Sequence, residues 1–200
     1  MKIVGLTGGS GSGKGRVGML FREFGCAVID TDALYHDMIS SESDCSAAIL
    51  SRFGSSVKNT DGGIDRRALA EIVFANTEAL RDLNRIAHTY VRTECNKLIE
   101  IHKARGTEML LIDAPQLFEA GMQDVCGVTV AVIADERIRI KRICARDSIS
   151  EQKAEARIRA QYTDDFFRQN CTYVIENNHD LARLLVRVKN VYDEIKELQL

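Results

Sequence analysis

Gly8-Gly9-Ser10-Gly11-Ser12-Gly13-Lys14 sets glycines and a lysine in the spacing G-x-x-x-x-G-K, between an apolar run (residues 2–7, KIVGLT) and a segment that reads as helix. That order of strand, glycine-rich loop and helix is the context a phosphate cradle requires. Glycines permit positive φ angles and close backbone approach, so consecutive N–H groups point into a phosphate, and the following helix adds the partial positive charge of its N-terminus. Lys14 has the reach to bind β- and γ-phosphates. Gly9, Gly11, Ser12, Gly13, Lys14, Gly15 and Arg16 are therefore the candidate ATP-binding residues. The position after Lys14, where a Ser or Thr hydroxyl normally binds Mg²⁺, is Gly15. A G-K-G sequence is also similar to the loop of adenylate kinases, where the metal is held through waters and the phosphates themselves, and Mg²⁺ keeps several waters readily.

Carboxylates and arginines supply the rest of the chemistry. Asp30 and Asp32 follow the second apolar run, at the strand end where open α/β sheets bind ligands. A carboxylate there takes the proton of an attacking hydroxyl and aligns it, or else caps the helix that begins near Ala33; the local residues support both readings of Asp32 equally. Arg142 and Arg146, four apart on an expected helix, project from one face and suit phosphate clamping, or form a solvated face with Asp147, Glu151 and Glu155 as partners. With Arg139, Lys141, Arg157 and Arg159 they make the stretch 137–159 locally basic. Asp113 ends an apolar strand in the manner of a Walker-B carboxylate, a position from which it holds a magnesium-bound water.

Five short runs position these groups: 2–7, 26–30 (CAVID), 109–113 (MLLID), 128–134 (VTVAVIA) and 172–176 (TYVIE). Separated by helical stretches, they predict an α/β fold with a parallel sheet flanked by crossover helices on both faces. Leu80, Leu83, Ala87, Tyr90 and Val91 form one helical stripe, and Leu181, Leu184, Leu185, Val188, Tyr192 and Ile195 another. The long stretch between the second and third strands reads as helix with one turn at Asp61-Gly62-Gly63, too much for a single crossover, and predicts a helical insertion. Ser148 and Glu151 have the spacing of a capping box, which predicts a helix from there through Gln161, after a break between Arg146 and Ser150.

The 200 residues carry a net charge of −2 with 45% apolar and 28% charged residues, which fits one globular domain and gives no global attraction to nucleic acid. The acidic balance and the lack of an aromatic-basic stripe argue against a nucleic-acid partner. No run approaches the roughly 20 apolar residues of a membrane span. Six singly spaced cysteines suggest neither a zinc pair nor a disulfide framework, and most are expected to be buried small hydrophobes; a reducing cytoplasm is the expected compartment.

The ordered blocks IVGLTGGSGSGK, VIDTDAL, DGGIDRRALAEIVFAN, DAPQLFEAG, RICARD and VIENN span nearly the whole chain and resemble the dephospho-CoA kinase family. Several of them are not shared by P-loop kinases at large. The resemblance implies a single P-loop kinase domain over 1–200: a nucleotide-binding core (1–35, 107–136 and 171–200), a helical CoA-binding region (36–106) and an arginine-bearing helical lid (137–170). It implies ATP and dephospho-CoA as substrates, Mg²⁺ as cofactor and a monomer. Carried over residue by residue, it makes Asp32 the base for the ribose 3′-hydroxyl, Lys14 the phosphate ligand, Arg142 and Arg146 the lid arginines, and places Asn177 near the ATP base. Asp113 then lies beside the acceptor rather than the metal, and both roles stay open. His88 stands where the family has His-Pro and is implied in acceptor binding, but Thr89 follows it here, so the backbone restriction that proline imposes is lost. Glu119 faces the acceptor or caps a turn. Two rivals remain: a kinase of nucleoside monophosphates, and a nucleotide-binding regulator that lost turnover along with the Ser/Thr ligand.

Overall fold

The computed structural model describes residues 1–199. Its strands are β1 (Lys2–Thr7), β2 (Ala27–Asp30), β3 (Met109–Asp113), β4 (Val128–Ile133) and β5 (Tyr173–Glu176), each within a residue or two of the run that predicted it. The helices are α1 (Lys14–Glu23), α2 (Thr31–Ser40), α3 (Asp44–Phe53), α4 (Arg66–Ala75), α5 (Thr77–Ala104), α6 (Glu136–Asp147), α7 (Glu151–Arg159), α8 (Asp164–Asn170) and α9 (Leu181–Glu197).

β3 and β4 are buried along their whole length, as continuous apolar strands covered on both faces must be. The strands form one sheet of order β2-β3-β1-β4-β5, with β1 parallel to β3 and β4, and β4 parallel to β5. The register sets Leu6 beside Asp113, Thr7 beside Ala131 and Ile133 beside Glu176, so Gly8, Asp113 and Asn177 all fall at the carboxyl rim. The chain divides into two compact units, residues 1–29 with 102–200, and residues 30–101. In the first, Val4, Leu6, Leu111, Val130 and Val132 pack with Val17, Leu20 and Phe21 of α1 and Val188 and Ile195 of α9. A second cluster joins Ala131 and Ile133 to Phe167 of α8, with Phe118 and Phe166 packed against it.

The 30–101 unit has its own core, built from Ile39, Cys45, Ile49, Val57, Ile64, Leu69, Val73 and Ala79. It is broken more often than the one turn expected. Ser43 starts α3 with a reciprocal capping box to Ser46, Gly54 at φ 84° ends that helix, and the Asn76 side chain accepts from Glu78 and Ala79 N–H at 2.9 and 3.2 Å to restart the chain as α5. The expected Asp61-Gly62-Gly63 turn is present, held by antiparallel bridges Ser41–Gly62 and Lys58–Ile64. Because Thr89 stands after His88, with its hydroxyl donating to Arg85 O at 2.8 Å, α5 runs unbroken for 28 residues.

The helix expected to start at Ser148 starts two residues later. Ser148 takes the left-handed conformation (φ 53°) that closes α6, with its N–H on Cys144 O, so its hydroxyl is not the cap of the next helix. Ser150, in extended backbone, accepts from Lys153 N–H instead. α7 ends at Arg159, and Gln161 lies in the turn before α8. Cys26, Cys45 and Cys95 are buried, whereas Cys126, Cys144 and Cys171 are half-buried; all are free thiols, and burial raises those of Cys26 and Cys95 to about 12. Among the described residues no helix is long and apolar enough to cross a membrane.

Candidate functional site

A loop that turns its N–H groups toward one point turns its carbonyls the other way, and buried carbonyls need donors. The loop between β1 and α1 shows both halves of this arrangement. Gly13, the N-cap of α1, sits at φ 94° and offers no side-chain cap, which leaves the first N–H groups of the helix open to an anion. Gly8, Gly11 and Gly13 all have positive φ. Behind the loop, Arg139 Nε donates to Ser10 O at 2.9 Å, Arg142 Nη1 to Gly11 O and Ser12 O at 3.2 Å each, and Asn177 Nδ2 to Ser12 O at 2.8 Å. Arg142 Nη2 also donates to Asn177 O at 3.1 Å, joining the two supports.

These contacts explain the glycines at close range. A Cβ at Gly13 would lie 2.1 Å from Asn177 Nδ2, one at Gly9 2.2 Å from Arg139 Nη2, one at Gly11 2.7 Å from Arg139 O, and one at Gly8 2.3 Å from Val132 O. Ser12 is buried, and its hydroxyl is a polar group that no side chain or backbone atom among the described residues satisfies.

At the rim, Lys14 Nζ donates to Asp113 Oδ1, and both side chains are mostly covered. The other Asp113 oxygen lies 3.0 Å from where a Cβ of Gly18 would sit, so α1 approaches the carboxylate closely because it carries no side chain there. Arg16 is half-buried in the first turn of α1, and Gly15 beside it has open space around its Cβ position.

The two expected lid arginines have different surroundings despite their helical spacing. Arg142 reaches the back of the loop. Arg146 is 60% exposed and makes a two-point contact with Asp147 at 2.7 and 3.0 Å; Arg157 also pairs with Asp147. Hydrogen bonds from Arg146, supported by Arg157, pull the Asp147 carboxyl down to about 2. Arg159 pairs with Glu155, the surface partnership foreseen for part of this basic stretch.

Two residues that the sequence did not single out as site residues now stand at the loop. Arg139 is 5% exposed in its side chain and faces Asp164 at 3.4 Å. Burial pushes the arginine down and the aspartate up, against the attraction between them. Gln161 Oε1 accepts from Ser10 N–H at 2.8 Å. Arg139 had a detectable signal, since it lies three residues before Arg142 and hence on the same helix face. Gln161, in a turn, had none.

In the 30–101 unit, Asp30 is the N-cap of α2 and accepts from Asp32 and Ala33 N–H at 3.0 Å each. The capping role weighed for Asp32 therefore belongs to Asp30. Asp32 is exposed in the first turn of α2, and His88 is half-buried midway along α5.

Replacing Gly13 by Ala forces a Cβ into Asn177 and holds alanine in the left-handed region, which costs about 1–2 kcal/mol before the clash is counted. We expect ATP affinity, measured by calorimetry, to fall at least about tenfold, with the 30–101 core undisturbed. Unchanged affinity would show that this loop does not hold the nucleotide.

The dephospho-CoA kinase family model matches residues 2–183. A dephospho-CoA kinase of Moorella thermoacetica is 36% identical over 98% of this chain and 93% of its own length. Among solved structures, a Thermus thermophilus protein superposes with a TM-score of 0.79 at 33% identity, covering 96% of this chain and 97% of its own. A Campylobacter jejuni dephospho-CoA kinase shares the fold, with a TM-score of 0.74 at 24% identity and 98% coverage of both chains. On the extent of these matches and the phosphate loop they include, the chain belongs to the dephospho-CoA kinase family.

Proposed function

We propose that this chain transfers the γ-phosphoryl group of ATP to the ribose 3′-hydroxyl of dephospho-CoA, giving CoA and ADP, the last step of CoA synthesis. The observation that carries the reading is the glycine-rich loop that leaves the start of α1 without a side-chain cap, with Lys14 beside Asp113 at the sheet rim, in a chain whose family is shown over nearly its whole length.

In this reading, the loop N–H groups and Lys14 hold the donor phosphates, with Lys14 shifting from Asp113 toward them. Asp32 accepts the proton of the 3′-hydroxyl and aligns its oxygen with the γ-phosphorus, after which the bond to the β–γ bridging oxygen breaks and ADP leaves. Arg142, already behind the loop, and Arg146, released from Asp147, oppose the charge spread over the transferring group. Asn177 supports the nucleotide end of the loop beside the ATP base. His88 belongs with acceptor binding, as does residue range 36–106; the range 137–170 is the lid, whose closure excludes water as an alternative acceptor.

Among the described residues no three His, Cys, Asp or Glu side chains cluster as a metal site. The residues present nonetheless fit Mg²⁺: the Asp113 carboxylate at the rim suits a hard cation bound through water, and Gly15 leaves space rather than a competing side chain. When bound, the ion would neutralise β- and γ-phosphate oxygens. The monomeric state and a cytoplasmic location belong to the same proposal.

The direct experiment is incubation with ATP, Mg²⁺ and a panel of acceptors, read by mass spectrometry. We expect one phosphoryl group on dephospho-CoA and little on AMP; the reverse pattern would assign the chain to nucleoside monophosphate chemistry. Asp32→Asn should keep ATP binding and lower turnover by about 10²-fold or more. If Asp30→Asn were the damaging change instead, the base would be misassigned.

Gly15→Ser tests the metal. Since nothing lies within 4 Å of the Cβ position, serine fits without displacing the loop. Turnover at saturating Mg²⁺ should change less than about twofold, with a modest tightening of apparent Mg²⁺ affinity, because Mg²⁺ keeps several waters readily and would not need a side-chain hydroxyl. A large rescue of a nearly inactive parent would mean that the native chain is a nucleotide binder rather than a working kinase.

A further inference from the structure

The backbone of Ser10 is gripped on both sides, at the peptide that precedes it and at the peptide that follows it, by the segment that comes after β4. Its carbonyl accepts from Arg139 Nε on α6 at 2.9 Å, and its N–H donates to Gln161 Oε1 between α7 and α8 at 2.8 Å. The two grips are themselves linked, since Arg139 Nη2 lies 3.4 Å from the same Gln161 oxygen and Arg139 Nη1 lies 3.4 Å from Asp164. Arg139 is a costly residue to bury, and a packed charge of this kind needs partners. Two of its three partners belong to the loop or to the residue that holds the loop.

The loop has been shaped to admit this side chain. Cβ atoms at Gly9 and Gly11 would strike Arg139, at its guanidinium and its backbone respectively. Neither collision involves the phosphate side. These two glycines therefore serve the approach of α6 as well as the approach of a ligand.

We propose that Arg139 and Gln161 are positioning residues that act together on the two peptides flanking Ser10 and so preorganise the phosphate loop for ATP. Neither touches the reacting atoms. Without the grip, the loop samples orientations in which its N–H groups diverge, and ordering it on binding weakens affinity. The grip also ties the geometry of the 137–170 segment to the nucleotide site within one unit of the fold. This inference rests on the reading of the loop as an ATP site, but not on the identity of the acceptor.

The test uses the full chain and the variants Arg139→Met, Arg139→Lys, Gln161→Ala and the double Arg139→Met/Gln161→Ala. ATP affinity is measured by calorimetry without acceptor, alongside thermal unfolding and KM for both substrates. Each of Arg139→Met and Gln161→Ala should weaken ATP binding by about tenfold, the size of effect expected when a hydrogen bond that orders a site is lost. KM for the acceptor should stay within about twofold. Because both side chains hold the backbone of one residue and lie 3.4 Å from each other, the double variant should be at most about threefold worse than the poorer single one. Arg139→Lys keeps the charge opposite Asp164 but loses the fork that spans Ser10 O and Gln161, so it should recover thermal stability without recovering ATP affinity.

Unchanged ATP affinity in Gln161→Ala, or single effects that multiply fully in the double variant, would overturn the proposal. So would a common loss of stability and affinity that lysine restores together, which would mark Arg139 as structural only. If Arg139→Met does not fold, Gln161→Ala decides the matter alone, since it removes a half-buried side chain from a turn. A parent chain that binds ATP but leaves dephospho-CoA untouched would overturn the acceptor assignment, while the binding comparison still decides this proposal. A parent that binds no ATP would overturn both.

Discussion

A phosphate-binding loop has two faces, and the structure of the larger unit depends on how the hidden one is satisfied. Turning N–H groups toward a ligand drives the carbonyls of Ser10, Gly11 and Ser12 backward, where each would be left without a donor if its surroundings were apolar. Arg139, Arg142 and Asn177 supply the donors. Those three residues come from α6 and from the residue after β5, both anchored to the sheet on the β4 side of β1. The strand order β3-β1-β4-β5 is thus what brings donors to the loop: β1 delivers the loop, and the neighbouring strands deliver its supports.

The same logic assigns different work to residues that look alike along the chain. In α6, Arg139, Arg142 and Arg146 are all arginines at helical spacing, yet the first is buried beneath Ser10, the second lies behind Gly11 and Ser12, and the third stands exposed against Asp147. The difference comes from where the helix passes the loop. Its middle is covered, and its end, closed by Ser148 in the left-handed conformation, is not.

The strands were readable because parallel strands buried on both faces leave continuous β-branched runs, and all five fell where those runs lie. The phosphate loop was readable because only glycine tolerates its φ values and contacts. What the sequence concealed were features set by position in space rather than by type. Ser148 and Ser150 are the same residue, and only the backbone conformation of the first decides which of them caps α7. Asp30 and Asp32 offered the same chemistry, and the choice of cap depended on a two-residue difference in where α2 starts. Gln161 is an ordinary polar residue in a turn, and nothing in its type announces that its carbonyl oxygen holds a peptide 151 residues earlier.

The central position of β1 has a consequence for how the chain is made. β1 leaves the ribosome before the other elements described, and its partners β3 and β4 begin only at Met109 and Val128. At synthesis rates of about 5–20 residues per second, an apolar strand with two unpaired edges waits several seconds for its sheet. The residues made in that interval, 30–101, form the unit that has a core of its own and draws on local contacts to close it. All the residues of the 30–101 core are therefore made before β3 and β4, and the strand that presents the phosphate loop is the one that waits longest for a partner.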